Sequence, residues 1–167
     1  MEKESYMFKE VQWNKIKWVW AVVIGIGTLM WYAFYVQIIG GKEFGSNPAP
    51  DSVLMVFTFI FGIIFPIFIL TFHQITEVRD SGVYIRMSPF PGRFIPLSQI
   101  KSYKRRTYNA IAEYGGWGIR FGFNGRAYNL SGNQGIQLSL ESNSNVLIGT
   151  GRPEDFNVAL NKAMGMR

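Results

Sequence analysis

The chain has no cysteine and a single histidine. The first absence excludes disulfides and thiolate chemistry and says nothing about compartment. The second leaves His73 without a Cys or a second His beside it, a poor start for a metal site. No nucleophile–base pair surrounds it either, so a headgroup contact or simple residence at an interface is its expected role. No catalytic set, cofactor motif or metal-ligand spacing emerges from the rest of the chain.

Charge is missing over two long stretches. Residues 18–39 and 53–72 contain no Asp, Glu, Lys, Arg or His. A helix rises about 1.5 Å per residue, and a hydrocarbon core is about 30 Å thick. Runs of 22 and 20 residues are long enough to cross it. A buried helix of a soluble protein shows a polar stripe, and none is visible here. The reading is a two-helix transmembrane hairpin over 18–73, multi-pass in the cytoplasmic (inner) cell membrane. The lack of any ionisable residue within the spans argues against a proton path or an ion-coupled transporter.

What is present supports that frame. Trp13, Trp18, Trp20, Trp31, Tyr32, Tyr35 and Phe72 cluster near the span ends, as an interfacial belt requires. Gly25 and Gly27 allow close approach of a neighbouring helix, although no GxxxG pair exists. Pro66 is expected to bend the second span. Lys3, Lys9, Lys15 and Lys17 precede the first span, Arg79, Arg86 and Arg93 follow the second, and the connecting loop has only Lys42. The positive-inside rule then places both termini in the cytoplasm. Residues 1–17 mix signs around Met7, Phe8, Val11 and Trp13 and read as an N-terminal cytoplasmic or interfacial segment. From Gln74 onward twelve Lys/Arg face six Asp/Glu, so the net charge of +6 belongs to that half.

Beyond Gln74 the hydrophobic period changes to two. Val83, Ile85 and Met87 alternate with Tyr84 and Arg86. Asn124-Gly125 predicts a type I′ hairpin turn that pairs Phe121 with Tyr128 and Ile119 with Leu130. Trp117, Ile119, Phe121, Tyr128 and Leu130 then share one face. Residues 136–141 alternate strictly. Pro153, Glu154 and Asp155 open a C-terminal helix over 153–164, whose stripe is Phe156, Leu160, Ala163 and Met164. The expected fold is α+β: the hairpin, then over 74–167 seven or eight short antiparallel strands in a small sandwich or partly open barrel, capped by that helix.

A membrane hairpin followed by such a domain resembles the prokaryotic membrane-anchored pleckstrin-homology-like proteins. A narrower likeness to one uncharacterised group of them rests on the string from Glu113 through Gly115, Gly116, Trp117 and Gly118 to Arg120. It continues through Ala127-Tyr128-Asn129, Ser131-Gly132-Asn133, Gly135 to Leu138, Leu147 to Thr150 and Arg152-Pro153-Glu154. The resemblance implies a fold and a non-enzymatic binding module, and no chemistry.

Two features bear on function. Gly115-Gly116-Trp117-Gly118 lacks the Lys-Ser/Thr pair of a nucleotide loop and enters a strand, so its expected role is to bend the chain and bring Trp117 under the sheet. Lys101, Lys104, Arg105 and Arg106 form the one concentrated basic patch, open to an anionic leaflet, a protein partner or solvent. Nucleic acid is not expected, because no RNA-binding signature accompanies Tyr103 and Tyr108. The expected role is an accessory or scaffold subunit docking onto a larger membrane complex. The alternatives are an anionic-lipid headgroup module and, third, a membrane enzyme.

The topology is directly testable. Single cysteines at Ser46 and Ser142 are expected to differ on intact cells: an impermeant maleimide should label position 46 and spare position 142. The reverse pattern would invert the orientation.

Overall fold

The computed structural model describes residues 6–14, 16–122 and 125–165. The chain divides into two compact units, one of residues 1–14 and 72–167 and the other of residues 15–71.

The helical unit begins with α1 (Lys17–Phe34), which runs on through a π-helical turn to Ile39. After the loop, α2 (Asp51–Phe59), a second π-helical turn (Ile60–Ile64) and α3 (Phe65–Thr71) form one continuous rod. Lys17–Ile39 and Asp51–Thr71 are each long and apolar enough to cross a membrane. Val23, Gly27, Ala33, Leu54 and Thr58 are buried between them. A Cβ on Gly27 would sit 3.9 Å from the Phe61 carbonyl, while Gly25 faces open space. Only one of the two glycines therefore lies at the helix contact.

Hydrogen bonds from side chains to backbone cross this contact. Thr58 Oγ1 donates to the Met30 carbonyl at 3.3 Å, and Trp31 Nε1 donates to the Gly62 carbonyl at 3.2 Å. The second bond reaches a carbonyl that Pro66 cannot serve. Proline has no N–H to offer the carbonyl four residues earlier, which is that of Gly62. The Trp31 indole supplies a donor there, and the π-helical turn lies immediately before α3.

The other unit holds nine strands among the described residues. The first is β1 (Tyr6–Trp13), ahead of the helices. Then come β2 (His73–Arg79), β3 (Gly82–Ser88), β4 (Arg93–Pro96) and β5 (Ile100–Thr107). A short helix α4 (Ala110–Tyr114) leads into β6 (Gly118–Gly122), β7 (Gly125–Asn129), β8 (Gln134–Leu140), β9 (Asn145–Gly149) and α5 (Pro153–Ala163). One sheet has the order β1-β2-β3-β4 and the other β5-β8-β9-β7-β6. Val83, Ile85 and Met87 are fully buried, as their alternation requires. Phe8, Val78, Ile85 and Ile95 of the first sheet and Tyr128, Ile136, Leu138 and Ile148 of the second share one core cluster. Phe156, Ala159 and Leu160 of α5 complete it.

Four expectations are corrected. Residues 6–13 are a strand of this unit, not a separate N-terminal segment, so its chain does not begin at Gln74. Their inward side chains are Phe8, Glu10 and Gln12, which show no apolar alternation. Not every strand pair is antiparallel: β7 and β9 run parallel, joining Arg126–Tyr128 to Val146–Ile148. The β6–β7 register differs by two residues, pairing Ile119 with Tyr128 and Phe121 with Arg126. A two-residue shift preserves the alternation of faces, and Gly122 and Gly125 form the last pair of the ladder. Asn124 lies outside the described residues. Lastly, Phe121 is 73% exposed beneath the Arg126 guanidinium, while Trp117 belongs to another cluster.

The two sheets are tied through β1. Glu10 accepts hydrogen bonds from Thr150 Oγ1 and from the Gly151 amide. Gln12 Nε2 and Gln74 Nε2 each donate to the Gly149 carbonyl at 2.9 Å. Phe8 stacks on Phe156 of α5, with centroids 5.1 Å apart. On the opposite face Glu77 bridges Lys9 at 2.8 Å and Arg79 at 2.7 Å. Burial works to raise the Glu77 pKa, and the hydrogen bonds from Lys9 and Arg79 overcome it, holding the carboxyl below its ordinary value.

Phe8→Ala should therefore cost about 3 kcal/mol or more, as phenylalanine truncation in a core does. Val11→Ala, on the exposed side of the same strand, should cost about 0.5 kcal/mol or less. Thermal unfolding of the full chain in detergent checks both, and equal effects would remove β1 from the core.

Candidate functional site

The four basic residues of β5 do not form one surface. β5 pairs with β8, placing Tyr103 opposite Leu138 and Arg105 opposite Ile136 on the core side. Lys104 and Arg106 lie opposite Gln137 and Gly135 on the outer side. Arg105 pairs with Glu154 at the start of α5, and Tyr103 Oη donates to Asn161 of the same helix. Arg106 pairs with Glu113 of α4. Lys101 and Lys104 are exposed, and no partner is seen for either among the described residues. Two of the four charges thus fasten helices to the strand. The sequence could not reveal this, since the two acids lie seven and forty-nine residues away.

The glycine run is a helix stop. Asn109 caps α4, its Oδ1 accepting from the amides of Ile111 and Ala112 at 3.1 and 3.0 Å. The Glu113 carboxylate returns to accept from the Asn109 amide at 2.8 Å. At the other end Gly115 adopts φ 69°, and the amides of Gly115 and Gly116 bond back to the carbonyls of Ile111 and Ala110. This is the left-handed helix termination that favours glycine. A phosphate would need those amides free, and the helix already uses them. The five-residue helix before the glycines was not expected from the sequence. Its signal was Asn109 four residues ahead of Glu113, with glycine beyond.

The bend brings Trp117 against a second, smaller cluster of Tyr108, Ala110, Tyr114, Ala127 and Leu147. Tyr108 packs on backbone. A Cβ on Gly149 would lie 2.7 Å from its hydroxyl, and one on Gly135 3.2 Å from its ring. Burial pushes its pKa up to about 12, and burial likewise raises that of Tyr114. Both rings are packing groups, far from the pKa a general acid or base would need near neutrality.

Gly125 closes the β6–β7 hairpin from its strand side. Its φ is +105°, and a Cβ there would lie 2.2 Å from the Asn145 carbonyl. His73 packs at a tilt against Trp13, its partner in the β1–β2 ladder, with ring centroids 4.7 Å apart.

Two recesses carry exposed apolar surface. One, of about 530 Å³, runs between β1 and α5 and is lined by Tyr6, Met7, Phe8, Arg152, Val158 and Lys162, among others. β1 is an edge strand with β2 as its one sheet neighbour, so half of its backbone groups point away from the ladder. The other, of about 500 Å³, is lined by Phe72, Phe90, Trp117, Gly118, Ile119 and Arg120.

Gly125→Val should destabilise the β unit. The left-handed backbone alone costs about 1–3 kcal/mol for a β-branched residue, and overlap with Asn145 adds to it. Gly132→Asn, at φ +75° with open space around it, should leave the melting temperature nearly unchanged, because asparagine tolerates that conformation.

No curated protein matches the chain, and no solved structure matches it. A family model does match, over residues 1–165, taking in both units described above. The chain belongs to that family, a family of unknown function (DUF6141).

Proposed function

We propose that this chain is an integral membrane protein whose two apolar helices span the cytoplasmic membrane, with both termini inside. The β unit is then a cytoplasmic pleckstrin-homology-like module, and it works as a non-enzymatic docking subunit of a larger membrane complex. Two helices that carry no charge beyond their first residue and a β unit closed by a C-terminal helix support the anchored-module reading. The parallel β7–β9 pair is the chain's own variation on it.

The observation that carries docking is the open edge of β1 beside the groove against α5. An edge strand next to a cleft offers backbone hydrogen bonds along its length, with side-chain pockets for selectivity. Val158, 64% exposed on α5 at the rim of that groove, is a residue a partner would cover. Protein docking is favoured over lipid binding by β5, since Arg105 and Arg106 are already ion-paired. Lys101 and Lys104 keep the anionic-headgroup reading as the second one, at about 1 kcal/mol for each charge near an anionic leaflet.

A photo-crosslinking amino acid at Val158, in full-length protein in native membranes, should give one discrete heavier adduct. The same group at Asp80, in the exposed β2–β3 turn, should give none. Absence of an adduct at 158, or the same adducts at both positions, would overturn docking at this groove.

A further inference from the structure

We infer that the recess lined by Phe72, Phe90, Trp117, Ile119 and Arg120 rests on the headgroup layer of the bilayer. This depends on the membrane-anchored reading above and adds a lipid-facing surface that lies outside both the β5 patch and the β1–α5 groove.

Covalent structure supplies the first argument. Phe72 is peptide-bonded to Thr71, the last residue of α3, and only residues 14–16 separate Trp13 from Lys17. A chain reaches at most about 3.6 Å per residue. The β1–β2 end that carries Trp13 and His73 is therefore leashed to the helix termini by two very short connections. Phe72 and Phe90 meet edge to face, with centroids 6.4 Å apart, so the recess lies at that leashed end.

Chemistry supplies the second argument. The lining is three aromatic rings, one isoleucine and an exposed arginine. Phe90 is 46% exposed. The Arg120 side chain is held by a 2.9 Å hydrogen bond from its Nε to the Trp117 carbonyl. That bond leaves the terminal nitrogens of the guanidinium for other acceptors. Aromatic bodies with a cationic rim suit the boundary between acyl chains and phosphates. The same composition fits a small polar ligand poorly, since the recess presents no acidic side chain and one base.

The chain has no native cysteine, so single fluorescent labels report unambiguous positions. Full-length protein is reconstituted into phosphatidylcholine vesicles containing a minority of phosphatidylglycerol and a lipid with a nitroxide near its headgroup. Labels are placed at Pro91, beside Phe90; at Val22, on the exposed side of α1; and at Asp80. β2 is seven residues long, so Asp80 lies about 20 Å along the strand from His73. Quenching is expected at 22 and 91 and not at 80. The second arm repeats the label at 91 with Phe90→Ser and Arg120→Gln, both at exposed positions, and a severalfold loss of quenching is expected. An unquenched 22 would overturn the membrane reading itself. Quenching at 22 with none at 91 would overturn this inference alone. Unchanged quenching at 91 in the double variant would also overturn it, because the leash would then account for the proximity without any contact.

Discussion

The β1–β2 ladder is the constraint on which the rest depends. Trp13 and His73 face one another in it, so the chain leaves the β unit and re-enters it at neighbouring points. Adjacent strands lie about 4.8 Å apart. Whatever is inserted between them must bring its own two ends together. Two helices of similar length joined by a short loop do this, and two helices pointing the same way would not. The helical unit is thus an insertion in the β unit, and its antiparallel form is required by a strand pairing that it interrupts.

That pairing also costs loop-closure entropy, because β1 must find β2 across the whole helical insert. The ladder is accordingly not alone in holding β1. Phe8 reaches the α5 side of the core, Gln12 reaches the last residue of β9, and Glu10 reaches the two residues after it. The buried amide nitrogens of Gln12 and Gln74 both donate to the Gly149 carbonyl, and Gln74 Nε2 also donates to Thr76 Oγ1. A carboxylate accepting from backbone and hydroxyl donors gives stronger and more directional bonds than a neutral pair would. The polar inner side of β1 fixes which part of the second sheet lies across from it, a choice that apolar contacts alone leave loose.

The helices follow the same logic with fewer polar groups. In an apolar surrounding an unpaired carbonyl costs several kcal/mol, by the order of magnitude of hydrocarbon transfer. Pro66 has no N–H for the Gly62 carbonyl, and the Trp31 indole donates to that carbonyl from the facing helix. The tryptophan is legible in sequence as an interfacial ring, while its structural partner is a glycine carbonyl thirty-one residues away. The basic residues of β5 are a parallel case. Read along the chain they are one patch, and in three dimensions the strand sends them to opposite faces, where Glu154 and Glu113 meet two of them.

The sequence by itself determined the features that rest on local pattern. The absence of charge over residues 18–39 and 53–72 set the two long apolar helices. The alternation of Val83, Ile85 and Met87 set β3, and Pro153 with the stripe Phe156–Leu160 set α5. Tertiary structure alone decided three things. β1 was invisible because its inward side chains are one phenylalanine, which meets α5, and one carboxylate and one amide, which meet the end of β9. The β6–β7 register sets Gly125 beside the Asn145 carbonyl, next to the parallel β7–β9 pair, and no local turn rule contains that contact. The fate of the basic patch depended on which face of β5 each residue occupies and which helix packs there. In each case the deciding partner is distant in sequence, so hydrophobic period and turn composition, which report only on neighbours, carry no trace of it.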